Sequence, residues 1–177
     1  MIISVEKAKQ LVTFNGWTDE KIKMKLDAIE QTIRAYTNNN FQNRGIRIQA
    51  DIKGGVIMSD SLIPFDVDDT VQISESRYNG GLHVVTAISG DTTFTVDNDI
   101  KDEESVLVTK VEYPADVVAC CVNLLEWELN NRGKVGVQSE TLSRHSVTYF
   151  NMDGANQVMG YPASLLGCLK PYRKARC

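Results

Sequence analysis

The sequence predicts an α+β chain: a small helical bundle carrying an inserted antiparallel β domain, either a small sheet or a barrel. Apolar residues recur at helical spacing near both ends, and from about 41 to 113 they alternate with polar residues. Turn formers separate the alternating stretches, and no long helix interrupts them. The expected division is 1–40 with 114–177 for the helical domain and 41–113 for the β domain, because neither helical part alone has much core.

Ser4 is placed to cap a first short helix, with Glu6 in the first turn, where the helix dipole favours an acid. Leu11, Phe14 and Trp17 stand at threefold spacing and suit a buried face, and Asn15 and Gly16 stop the helix. Thr18 opens a second helix running to about Tyr36. Its stripe of Ile22, Leu26, Ile29, Ile33 and Tyr36 keeps to one face, opposite Lys23, Lys25, Asp27, Glu30 and Arg34. The "TNNN" at 37–40 breaks it.

In the central stretch Ile46, Ile48, Ala50 and Ile52 alternate with polar residues, the period of a half-buried strand. "GVIMS", "DTVQIS", "LHVVTAIS", "TTFTVD" and "SVLVTKVEY" read as further strands, with "YNGG" and "SGDT" as turns between them. Pro114, read as a first helical position, opens a third helix that continues to about Asn131. Val117, Val118, Cys121, Leu124, Leu125 and Leu129 give it a wide apolar face. A Gly-rich loop and one clear strand, "HSVTYF", follow. A last short helix is expected from Pro162 through Leu165, Leu166 and Leu169 until Pro171 ends it.

The chain has 177 residues, 42% hydrophobic and 24% charged, with a formal net charge of -4. That composition can bury a core and argues against disorder as the main state. No apolar run approaches the roughly 20 residues that span a bilayer, and "MIISVEKAKQLV" lacks the pattern of a signal peptide. The expectation is synthesis in the cytoplasm and no membrane partner. Cys120, Cys121, Cys168 and Cys177 show no CxxC spacing, and the adjacent pair reads as small core residues in a reducing compartment.

Chemistry-bearing patterns are few. His83 and His145 both fall in strand patterns, away from any nucleophile motif, and no phosphate-binding glycine motif is present. "DVDD" at 66–69 and "DNDIKDEE" at 97–104 group oxygen ligands, but Ile100 and Lys101 break calcium-loop spacing. "KGG" at 53–55 reads as a turn. The basic residues form no nucleic-acid stripe. The sequence therefore predicts no enzyme, no cofactor, no metal site and no specific nucleic-acid binding. What remains unusual in an acidic chain is the apolar and basic ending "YPASLLGCLKPYRKARC".

Taken in order, the N-terminal helix pair, "YPADVVACCVNLLEWELNNRG", "KVGVQSETLSRHSVTYF" and the ending "YPASLLGCLKPYRKAR" resemble the head-tail connector proteins of long-tailed bacteriophages and prophages, also called adaptor or head-completion proteins. The resemblance covers about 1–40 and 114–177. It implies a structural virion protein at the head-tail junction, assembled in the bacterial host cytoplasm as a ring, usually of twelve copies, below the portal. Portal, a tail-side connector or stopper and further copies of the chain would be its partners. Packaged DNA would pass through an acidic channel without sequence-specific binding.

Under the same resemblance Tyr161, Leu165, Leu166, Leu169, Tyr172, Arg173, Lys174 and Arg176 would dock on the portal, the segment being mobile until it binds. Lys134, Val135, Val137, Ser139, Glu140 and Arg144 would form a subunit or tail interface near the channel. The β insert would decorate the outside. The alternative is a monomeric module whose β domain binds a ligand, peptide or carbohydrate, which predicts an exposed aromatic cluster; the aromatics available, Phe65, Tyr78 and Phe94, are few and scattered.

Overall fold

A computed structural model describes residues 1–131, 139–142, 145–148 and 156–175. The chain is mixed α+β and forms two compact units: 40–113 together with Met1, and 2–39 together with 114–177.

The first unit is a closed antiparallel barrel of β1 (Gln42–Lys53), β2 (Val56–Met58), β3 (Thr70–Ser74), β4 (Gly81–Ser89), β5 (Thr93–Val96) and β6 (Glu103–Val111), in the order β1-β2-β5-β4-β3-β6. Closure removes the unpaired edges that an open sheet of this size would expose. Period-2 alternation sends Ile48, Ala50 and Ile52 of β1 inward against Ile57, Val71, Ile73, Val85, Phe94, Val106 and Val108. Phe65, from the connection before β3, meets Phe94 edge-on at 5.6 Å. At the "KGG" turn Gly54 and Gly55 take φ of 60° and 78°, so β1 runs into β2 through a two-residue hairpin loop that favours glycine. Phe41 and Tyr113, where the chain enters and leaves the unit, pack ring to ring at 4.9 Å.

In the second unit, α1 (Val5–Leu11) is capped by the Ser4 hydroxyl, which accepts from the Lys7 amide. It ends earlier than its apolar spacing suggests. Val5 and Ala8 are its buried positions, Leu11 is exposed, and Phe14 and Trp17 lie in the following turn, half-buried and 6.1 Å apart. The helix α2 (Asp19–Thr37) follows its Thr18 cap and buries Ile22, Leu26, Ile29 and Ile33, while Tyr36 stays half-buried. Asn38, in the left-handed conformation, caps its end. The helix α3 (Ala115–Asn131) buries Val117, Cys120, Cys121, Leu124 and Leu125. Pro114 stands one position before it, its carbonyl accepting from the Val117 and Val118 amides.

After α3 two strands pair where one was expected: β7 (Ser139–Leu142) with β8 (His145–Thr148), Glu140 opposite Val147. The expected last helix is also absent from the described residues. Tyr161–Pro162 (β10) pairs instead with Gln157–Val158 (β9), and a 3-10 segment, Gly167–Tyr172, follows a turn. Gly160 at a φ of 80° and Pro162 favour that turn chemistry over an α-helix.

Candidate functional site

The C-terminal segment is built into the second unit rather than left free. Leu166 and Leu169 are fully buried, and Tyr161 is 5% exposed. Tyr161 lies edge-on to Trp127 at 5.4 Å and donates its hydroxyl to Glu128 Oε1 at 2.8 Å. The other oxygen of Glu128 accepts from Lys25 Nζ of α2 at 3.0 Å. A carboxylate buried to this depth is stable only with such partners. Lys25, Glu128 and Tyr161 thereby join α2, α3 and β10.

The end of α2 holds the end of the chain. The Thr37 carbonyl, one of the terminal carbonyls no helix can satisfy internally, accepts from the Lys174 amide at 2.8 Å. Asn39 Nδ2 donates to the Tyr172 carbonyl at 3.2 Å, and Asn38 Nδ2 to that of Ala175 at 2.9 Å. Tyr172 donates its hydroxyl to both carboxylate oxygens of Asp116, at 2.6 and 2.8 Å. That hydrogen bond holds the Tyr172 phenol above its usual range. The Arg173 guanidinium lies over the Tyr36 ring at 5.2 Å. The sequence offered "TNNN" only as a helix breaker; three amides after a capped helix are also donors suited to bare carbonyls, a signal passed over.

The proposed docking residues therefore divide. Leu166, Leu169 and Tyr161 are core, and a side chain with no exposed area cannot dock without unfolding what it packs against. Leu165 and Tyr172 are half-buried, and Arg173 and Lys174 are exposed. Within residues 156–175 Tyr161, Leu166 and Leu169 are buried against the rest of the unit, while Met159 is 50% exposed. Of the interface set, Ser139 and Glu140 lie on β7, while Lys134, Val135, Val137 and Arg144 lie outside the described residues, as does Arg176 of the docking set.

In the barrel the acidic turns serve the backbone. Asp69 pairs with Lys110 at 2.7 Å and accepts from the Asp66 amide, Asp97 accepts from the Val84 amide, and Asp102 from that of Gly54. Glu103 gathers Ser76 Oγ at 2.6 Å, the Arg77 and Tyr78 amides and Asn79 Nδ2. These hydrogen bonds, the Ser76 hydroxyl foremost, lower the Glu103 pKa. His83 packs inward with Nε2 2.9 Å from the Asn79 carbonyl oxygen. Phe65 and Phe94 are buried; Tyr78 alone of the three aromatics is exposed, with Arg77 and Lys101 at 5.3 and 5.5 Å from its ring.

Among the described residues, no group of three His, Cys, Asp or Glu side chains is placed to hold a metal ion, and no helix is long and apolar enough to cross a membrane. No protein-family model matches the chain, and no curated protein matches it either.

Proposed function

We propose that the chain is a structural virion protein that forms a ring below the portal, joins the phage capsid to the tail and helps retain packaged DNA. In this reading 1–40 and 114–177 form a small helical bundle, and 41–113 is an insert facing outward. The observation that carries it is the ending "YPASLLGCLKPYRKAR", the most specific part of the connector resemblance. Its residues 161–175 are folded against α2 and α3 in such a way that Arg173 and Lys174 remain exposed. The adjacent Phe41 and Tyr113 support the insert, because a domain whose ends lie side by side can be added between two helices.

Arg173 and Lys174, with the half-buried Leu165 and Tyr172, are the docking residues on this reading, and Ser139 and Glu140 belong to the interface between copies. Repetition around a ring makes weak single contacts strong together. The test is retention of the chain on immobilised portal rings, comparing the native sequence with Arg173→Ala/Lys174→Ala. The pair of substitutions should weaken retention severalfold while leaving stability within about 0.5 kcal/mol, as surface changes do. Equal retention would move the docking surface elsewhere.

A monomeric ligand- or peptide-binding module is favoured by one observation, the exposed Tyr78 with two cations near its ring. Such a module would bind through the β3–β4 loop and stay monomeric when mixed with portal.

A further inference from the structure

Two of the chain's four cysteines meet although 47 residues separate them in sequence. Cys120 sits on α3 and Cys168 in the 3-10 segment, and both thiols point at one acceptor, the Leu165 carbonyl, at 3.4 and 3.5 Å. The surroundings of the two differ. Cys120 is buried, whereas Cys168 is exposed. Burial, followed by its contact with the Cys168 thiol, holds the Cys120 thiol well above its usual range. The neighbouring Cys121 is buried among apolar residues, and its thiol is pushed up to about 12 by that burial and by Glu30. One accessible sulfur therefore faces one inaccessible sulfur, with a third shielded beside them.

We propose that Cys120 and Cys168 are a modification site: an oxidisable dithiol that small-molecule disulfides convert to an intramolecular disulfide, fastening the C-terminal segment to α3. The exposed Cys168 reacts first, since the thiolate is the nucleophile and must reach the oxidant. Its sulfur attacks one sulfur of the reagent disulfide and expels the other half as a thiolate, leaving a mixed disulfide. The Cys120 sulfur then attacks Cys168 Sγ, gives up its proton to water, and expels the second thiolate. The two protein thiols have lost two electrons and two protons, and one reagent disulfide has become two thiols. The product closes a long loop that spans the β7–β8 hairpin, the kind of closure that most restricts an unfolded chain.

The test uses the full chain with Cys177→Ser, which leaves three of the four cysteines. The protein is incubated with glutathione disulfide, its free thiols are counted, and linked peptides are mapped by fragmentation. Expected is the paired loss of two thiols, a 120–168 link that dithiothreitol reverses, and an unfolding midpoint raised by roughly 5 to 10 °C. Adding Cys168→Ser, a change at an exposed position, should abolish both the link and the shift. A glutathione adduct that persists at Cys168, a link from Cys168 to Cys121, or no loss of thiols would each overturn the proposal.

Discussion

The Tyr161 hydroxyl donates to the buried carboxylate of Glu128 at 2.8 Å, and so ties the C-terminal segment into the core between α2 and α3. Removing one partner leaves the other buried without its hydrogen bond, which costs more than the bond itself contributes. Tyr161→Phe should lower stability by about 1 to 3 kcal/mol. Urea unfolding followed by tryptophan fluorescence is the suitable measurement, because Trp17 and Trp127, the chain's 2 tryptophans, both belong to the helical unit. A Tyr161→Phe curve superposable on the native one would refute the contact.

Leu169 extends the same argument to packing. It is fully buried, so Leu169→Ala should cost about 2 to 5 kcal/mol in that assay. Deleting residues 161–177 should unfold the helical unit altogether. A deletion that kept the native fluorescence would mean that the segment is an appendage after all.

Asn39 and Asn38 hold the tail by its carbonyls. Asn39→Ala should speed hydrogen exchange at Tyr172–Ala175 several-fold, with little change at the centres of α2 and α3, since ends open locally at low cost. Unchanged exchange at the Lys174 amide would show that the Thr37 carbonyl holds the tail unaided.

Glu103 makes the barrel sensitive to acid. Its pKa is lowered in the folded state from an ordinary value of 4.5, so its contribution is present above that value. As pH falls through the folded-state value the carboxylate protonates and can no longer accept from Ser76, Arg77, Tyr78 and Asn79 together. Calorimetry should find Glu103→Gln less stable than the native chain at neutral pH, the gap narrowing as pH is lowered below 4.5. A gap that widened in acid would reverse the assigned sign.

The barrel was the most legible part of the sequence. Alternation along Ile48, Ala50 and Ile52, with paired glycines at 54 and 55, marks strand and hairpin by local rules alone. The helix α2 was equally plain, from the Thr18 cap through Ile33. Closure was not legible, because the pairing of β1 with β6 joins distant segments and no local pattern states it. Leu11 and Leu166 show the other limit. Both are leucines at helical spacing, yet Leu11 is 47% exposed and Leu166 fully buried, since tertiary neighbours decide burial. The site suffered most: apolar residues beside a basic end look alike whether they await a partner or already fill a core.

The connector assignment is tested most directly by counting copies on the portal. Electron microscopy of purified portal mixed with the full chain should reveal a closed ring of added density, coaxial with the portal and holding one copy per portal subunit, where neighbours can reinforce one another. Scattered single copies, or portal rings left bare by a folded chain, would contradict it and leave the ligand-binding module as the reading to pursue.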